Sequence, residues 1–285
     1  MSPIKEPNYF SSEVRPENLS EELQERSKKD LQALKEYLRG SMSEKRFGGM
    51  VLEWEDYLKL FQNVNGEKAI GEASVCYLWS RTAPGSIASR IPNARIIMIL
   101  RDPAERAFSQ YLQTVANGVV CESFRRHIER SMRWKSEKLG LRNPFLEFGL
   151  YYEQVKQYLE LFPKRNLSIL FFEDYQRRPA ETLAGIFRFV NVDASFAPDT
   201  SQKQLEPRVP RSIPIAHFLK RYGIWQRMKG PSSLAFRARL KRIAFRKRES
   251  LVMDEKDSRY LRDYYRDDIK KLASLLNYDL STWLN

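Results

Sequence analysis

Arg101, Arg106 and Ser109 are the side chains whose types and spacing most directly suggest chemistry. An apolar run, Ile96-Ile97-Met98-Ile99-Leu100, ends abruptly at Arg101-Asp102-Pro103. A helical pattern follows, with Ala104, Ala107, Phe108 and Tyr111 at helical spacing. Pro103 has its φ preset for a first helical turn, and the N–H it lacks would be unpaired there. The pattern predicts strand, loop and helix, with Arg101 at the carboxyl edge of the strand, where open α/β sheets bind ligands. Arg106 is the i−3 neighbour of Ser109 on the helix surface. A guanidinium, a hydroxyl and a helix amino end facing one crevice suit a phosphate. The strand–helix pattern taken alone fits a buried strand and a solvated basic helix more simply.

The elements that would position these residues follow from periodicity. Residues 20–39 predict a helix with Ser20 as N-cap, Leu23, Ser27, Leu31, Leu34 and Leu38 inward, and Gly40 as its stop. Further helices are expected over 50–61, 123–134, 147–162 and 180–190, and from Asp257 to Leu276. Lys68–Ala73 is short and reads as a strand leading into a functional loop. Leu167–Phe172 reads as a second buried strand, closed by Glu173-Asp174. Helices alternating with apolar strands indicate a parallel sheet covered on both faces. His127 and His217 stand in basic helical surroundings and read as surface residues.

Composition narrows the classes. Hydrophobic residues at 42% and aromatics at 12% exclude a disordered chain. Cys76 and Cys121 are too few for a disulfide framework or a zinc cluster, so a reducing compartment is expected. No apolar run approaches a membrane span, and the amino terminus lacks the apolar core of a signal peptide. The chain therefore reads as cytoplasmic. The net charge of +13 sits entirely in residues 203–248, where 14 Lys and Arg face one acid, Glu206, leaving 35 of each sign elsewhere. Ile215, Phe218, Leu219, Tyr222 and Trp225 recur there at helical spacing. This basic amphipathic segment fits either an anionic membrane surface or a solvated face packed on the domain. A nucleic-acid partner is weaker, because no reader motif accompanies the charge.

The segment from Ile96 to Tyr111 resembles the 3′-phosphate-binding segment of sulfotransferases that use 3′-phosphoadenosine 5′-phosphosulfate. In that family an apolar strand precedes R-[DN]-P-x-x-R-[AV]-x-S-x-Y, and Arg101 and Ser109 fall on the two phosphate-binding positions. Three more stretches resemble the same family in the same order. SPIKEPNYFS at 2–11 is similar to the K-E-x-x-[FY]-F segment of glycan sulfotransferases, including heparan-modifying ones. GEASVCYL at 71–78 is similar to G-E-x-[ST]-P-x-Y-[LF]. The carboxyl half matches through Gly149–Tyr152, LSILFFEDY and the final Asp279, Leu280, Ser281 and Trp283. The resemblance implies a P-loop NTPase-like α/β fold, a three-layer parallel sheet flanked by helices. It implies sulfonate transfer from that nucleotide to a hydroxyl of a carbohydrate or glycolipid, with no metal. Glu6 would be the general base and Lys5 an electrostatic aid. Arg101, Ser109 and Arg106 would hold the nucleotide, and Glu72 would orient the loop or bind the acceptor. Positioning and charge stabilisation dominate such a transfer, as in phosphoryl transfer.

The resemblance also has gaps. The family's P-K-x-G-T-[TS] loop, which cradles the 5′-phosphosulfate, has no counterpart among the 12 glycines. Ala73 stands where some glycan-modifying relatives carry Lys, and Val75 where Pro is common. The expectation is a single domain over 1–285, truncated at its amino end, with the first strand and phosphate loop missing and 203–248 a basic helical segment within it. Either Met1 is an internal methionine, or the chain keeps only the 3′-phosphate half of the site. Such a chain is expected to be marginally stable and weak or inactive in transfer. The rival is a non-catalytic scaffold with the same fold that binds anionic surfaces, and a peripheral membrane location remains open.

Overall fold

The computed structural model describes residues 1–117, 119–134, 144–199, 208–210, 245–247 and 251–285. They fall into two compact units. One is built on Met1–Arg101 and Tyr151–Asp199, the other on Asp102–Lys135, Arg142–Leu150 and Thr200–Asn285.

The first unit holds two short parallel ladders. Strand β1 (Ile4–Lys5) pairs with β2 (Arg46–Phe47), with Lys5 opposite Phe47. Between them runs α1 (Glu21–Arg39), preceded by Ser20 and ended by Gly40 as its pattern predicts, with Leu34 and Leu38 buried. Strand β3 (Ile96–Leu100) pairs in parallel with β4 (Leu167–Phe171), Ile96 opposite Leu167. A parallel pair needs a crossover connection, and the helices between the two strands in sequence supply it. Met98 and Leu100 are buried, whereas Ile97 and Ile99 are 38% and 53% exposed. The uniformly apolar run of β3 is thus buried on alternate side chains only.

The rest of the unit is helical. It contains α2 (Trp54–Lys59), α3 (Cys76–Trp79), α4 (Ala83–Arg90), α7 (Tyr151–Leu161), α8 (Phe172–Arg177) and α9 (Pro179–Phe189). Helices α3 and α4 pack on α7 through buried Ile87, Val155 and Tyr158. The amino end of α4 is tied to the chain start by Glu13. Its carboxylate accepts the hydroxyls of Ser11 (2.9 Å), Ser80 (2.7 Å) and Thr82 (2.9 Å) and the amides of Arg81 (2.7 Å) and Thr82 (3.3 Å).

In the second unit, α5 (Pro103–Ala116) packs against the long terminal helix α10 (Glu255–Leu276). Leu261, Tyr265, Ile269 and Leu272 of α10 are buried, the stripe its sequence spacing predicts. Helix α6 (Phe124–Met132) buries Phe124, His127, Ile128 and Ser131. A 3-10 turn, Glu147–Gly149, brings Gly149 so close to this core that an added Cβ would lie 2.9 Å from the Tyr265 ring. Two three-residue strands, β5 (Arg208–Pro210) and β6 (Phe245–Lys247), pair antiparallel, and β5 runs beside α5.

Several expectations need correction. Lys68–Ala73 is not a strand, because its backbone joins no ladder; Gly71 and Ala73 instead accept single amides from the chain start. The 50–61 helix spans only Trp54–Lys59, and β4 passes straight into α8 rather than stopping at Glu173-Asp174. Helices α3 and α4 were not expected at all. The described ends of the 203–248 segment are strands rather than helix. Its amphipathic stretch from Ile215 to Trp225, and His217 with it, lies outside the described residues. Among the described residues no helix is long and apolar enough to cross a membrane.

Candidate functional site

The first unit brings two of the candidate segments together. Ser2 donates its amide to the Gly71 carbonyl (2.8 Å), and Glu6 donates its amide to that of Ala73 (3.1 Å). Two residues on, the Asn8 amide donates to Ser74 Oγ (3.1 Å), whose hydroxyl donates to Glu72 Oε2 (2.8 Å). The Lys5-Glu6 and Gly71-Glu72 stretches, far apart in sequence, are therefore laced side by side. Glu6 and Asn8 hold left-handed backbone conformations, with φ of 62° and 57°. Asparagine visits this region readily, whereas glutamate holds it only where its surroundings impose it. Here the Asn8 side chain supplies part of the constraint. Its Nδ2 donates to the carbonyls of Glu6 (2.8 Å) and Gly49 (3.0 Å), and its Oδ1 accepts from Cys76 Sγ (2.9 Å).

The two carboxylates have unequal surroundings. Burial pushes the Glu72 carboxyl above its ordinary value of 4.5; hydrogen bonds from Tyr77 and Ser74 pull it back in part, and the charge on Glu6 raises it further. Burial pushes the phenols of Tyr57, Tyr77 and Tyr158 well up, with the Glu72 charge adding to each. They remain neutral. The Tyr158 hydroxyl donates to the Tyr77 carbonyl (2.8 Å), and the Phe10 amide donates to the Tyr77 hydroxyl oxygen (3.3 Å). Behind them Tyr9, Phe10, Trp54 and Tyr57 form one ring cluster, with ring centroids 5.0 Å apart for Tyr9 and Tyr57. Burial pushes the Cys76 thiol up to about 12, so it stays protonated and is a poor nucleophile. Among the described residues no group of three or more His, Cys, Asp or Glu is placed to hold a metal.

The phosphate candidates divide between the two units. Arg101 follows the last residue of β3, at its carboxyl end as expected, and its guanidinium lies over the Phe172 ring at 5.1 Å. Ser109 and Arg106 lie on α5. That helix is opened by Asp102, whose carboxylate accepts the amides of Ala104 (2.8 Å) and Glu105 (3.2 Å). Burial raises the Asp102 carboxyl, with the two amide hydrogen bonds working against it. Arg106 donates to Gln110 Oε1 (2.5 Å) and to the Phe145 carbonyl (2.7 Å), so it braces the Phe145 turn. Ser109 is half-buried.

His127 corrects an expectation. It is 1% exposed, its Nδ1 is 2.9 Å from Glu122 Oε1, and its ring packs on Phe145 at 4.4 Å. Sequence reading also passed over Asn8, Ser74 and Tyr77. The available signal was their placement within the two motif segments, where short polar residues beside a Glu favour local side-chain-to-backbone bonds.

These geometries define a parallel α/β protein with a paired-carboxylate loop and an arginine at a strand's carboxyl edge. Residues 82–213 match the family model of the sulfotransferase domain. The chain is 27% identical over 241 residues to human bifunctional heparan sulfate N-deacetylase/N-sulfotransferase 3, covering 82% of this chain and 25% of that protein. It is 27% identical over 188 residues to human carbohydrate sulfotransferase 15, covering 48% of this chain and 34% of that protein. It thus spans about a quarter to a third of these relatives' length. The crystal structure of a sulfotransferase from Alicyclobacillus acidocaldarius superposes with a TM-score of 0.70 at 23% identity, over 100% of this chain and 87% of that one. The fold is the P-loop-like α/β fold of sulfotransferases. Over residues 82–213 the chain is thus similar to the sulfotransferase domain.

Proposed function

We propose that this chain transfers a sulfonate group from 3′-phosphoadenosine 5′-phosphosulfate to a hydroxyl of a carbohydrate or glycolipid acceptor. The observation that carries the reading is the lacing of Lys5-Glu6 to Gly71–Ser74, which sets two carboxylates in one loop cluster. In this reading Glu6 takes the proton of the attacking hydroxyl as the new S–O bond forms. The S–O bond to the donor's phosphate breaks, leaving 3′-phosphoadenosine 5′-phosphate, and Lys5 offsets charge on the leaving oxygen. Arg101 and Ser109 are the residues that the sequence resemblance assigns to the 3′-phosphate. Arg106, with its two protein partners, acts by bracing α5. Glu72 fixes the loop through Ser74 and meets acceptor hydroxyls. Relatives whose names specify heparan sulfate and carbohydrate sulfotransfer support the acceptor class.

A calorimetric titration with 3′-phosphoadenosine 5′-phosphate tests the donor half. Wild type should bind saturably, and Arg101→Ala should weaken binding by about ten- to a hundredfold, the loss of a charge-assisted contact. A folded wild type that binds no nucleotide would favour the scaffold reading instead. Glu6→Gln should then bind nucleotide normally and transfer no labelled sulfonate.

A further inference from the structure

Glu6 holds its left-handed φ of 62° immediately before Pro7. A following proline pushes a residue towards extended backbone with negative φ, and a long side chain resists the left-handed region by itself. Two local preferences are therefore overruled at the proposed base. Strain of this kind persists only where surrounding contacts outweigh it. The strand shows what the turn achieves. Ile4 is buried and Lys5 exposed, so continued alternation would carry position 6 back to the buried Ile4 side. The positive φ breaks that alternation, and the charge on Glu6 is felt at Glu72 and Cys76. Asn8 supplies the contacts that hold the turn, and each of its polar groups is engaged. Its amide donates to Ser74 Oγ, and its carbonyl accepts the Ser11 amide (3.3 Å). Its Nδ2 reaches back across Pro7 to the Glu6 carbonyl and outward to that of Gly49. The Pro7 carbonyl between them accepts the Val51 amide (2.9 Å). Cys76 donates to Asn8 Oδ1, and burial keeps this thiol protonated. The thiol thus fixes which way the carboxamide faces: turned over, Oδ1 would meet two carbonyl oxygens and Nδ2 would meet a donor.

We propose that Asn8 is a positioning residue, whose side-chain amide clamps the Glu6 carbonyl and thereby aims the Glu6 carboxylate at the acceptor hydroxyl. This rests on the sulfotransferase reading above and goes beyond it by naming what holds the base in place. Asn8 touches neither acceptor nor nucleotide and acts only through Glu6. Asparagine also tolerates its own φ of 57° better than most residues, so the competing account is a turn residue with no further task. Glycine separates the two accounts. It takes left-handed backbone without steric cost and carries no amide. Aspartate tolerates the conformation too, but sets an oxygen against the Glu6 and Gly49 carbonyls where Asn8 has its donors.

Transfer of labelled sulfonate from 3′-phosphoadenosine 5′-phosphosulfate to an unsulfated octasaccharide of alternating glucuronate and N-acetylglucosamine, the probe acceptor, tests this in wild type, Asn8→Gly and Asn8→Asp. Rates are expressed per nucleotide-binding site, counted by titration with 3′-phosphoadenosine 5′-phosphate. Both variants should lose about ten- to a hundredfold in kcat, the cost of a misaimed catalytic group. The KM for the donor and the Kd for 3′-phosphoadenosine 5′-phosphate should stay at wild-type values. Counting per binding site removes any unfolded fraction, so a merely structural loss would leave kcat unchanged. A crystal structure of Asn8→Gly should show Glu6 returned to negative φ. Wild-type kcat in Asn8→Gly, or a Glu6 still left-handed in its structure, overturns the inference while the sulfotransferase reading stands on nucleotide binding and transfer. If wild type binds nucleotide but sulfonates no octasaccharide, the backbone of Glu6 in the Asn8→Gly structure decides by the same criterion. If wild type binds no nucleotide, the sulfotransferase reading falls and the inference falls with it.

Discussion

Replacing Glu13 with alanine probes how firmly the chain start is anchored. The carboxylate collects five donors, and those donors decide the cost. The Arg81 and Thr82 amides and the Thr82 hydroxyl are at exposed positions, so water can replace the carboxylate there at small cost. Ser11 and Ser80 are buried. A buried donor stripped of its acceptor costs about 1–3 kcal/mol. Ser80 recovers part of this by turning to Thr82 Oγ1 at 3.2 Å. The expected loss at neutral pH is about 2–4 kcal/mol, or roughly 3–7 °C in melting temperature. Glu13→Gln keeps one acceptor oxygen and should lose about half as much. The pH dependence carries the stronger test. Burial alone would raise this carboxyl, but the hydrogen bonds from Ser80, the backbone, Thr82 and Ser11 together lower it below 4.5. A depressed folded pKa gives stability that is complete above 4.5 and lost as pH falls through the folded value. Melting curves of wild type and Glu13→Gln should therefore converge on acidification. A gap that stays constant from neutral pH into acid, or a Glu13→Ala loss below about 1 kcal/mol, would show that this carboxylate does not anchor the segment.

Glu72 should behave with the opposite sign. Its folded pKa is raised, so its favourable contribution is complete below 4.5 and disappears as pH rises through the folded value. Glu72→Gln, neutral throughout, should gain stability relative to wild type between acid and neutral pH; parallel melting curves would contradict the burial argument. At Gly149 an added Cβ would lie 2.9 Å from two Tyr265 ring atoms and 3.0 Å from Pro103 Cβ. The Tyr265 ring is held by its hydroxyl, which donates to the Leu146 carbonyl (2.9 Å). Gly149→Ala should cost about 1–3 kcal/mol. Gly185→Ala in α9, where nothing lies within 4 Å, should gain about 0.5–1 kcal/mol. Equal denaturation midpoints for the two variants would mean that the Tyr265 junction yields.

Much of this fold was legible because period and punctuation coincide. In the β3–α5 region a strand-like run, a helix-starting proline and helical spacing all change within a few residues, and Asp102 caps where the pattern turns. The α10 stripe was equally plain. Helices α3 and α4 were not, because α3 is a single turn and α4 carries Pro84, Gly85 and two serines, all weak helix formers. Lys68–Ala73 misled because its composition suits a strand, whereas its partners are single amides brought by the chain start. His127 was misplaced by weighing neighbouring charges. The spacing of Phe124, His127, Ile128 and Ser131 puts it on the inner face of α6. The pairing of Glu6 with Glu72 rests on hydrogen bonds between distant segments, which no local pattern encodes.

The left-handed backbone at Glu6 carries a consequence for how this protein can change. At φ 62° a glycine would sit without the steric penalty that a side chain bears there. A library of variants at position 6 sorted only for resistance to heat should drift to glycine or asparagine, and sorting for the carboxylate's work should bring glutamate back. If Glu6 is the base proposed above, position 6 is a place where robustness and activity pull apart, and the distance between the two selections measures what the protein gives up to keep an acid there.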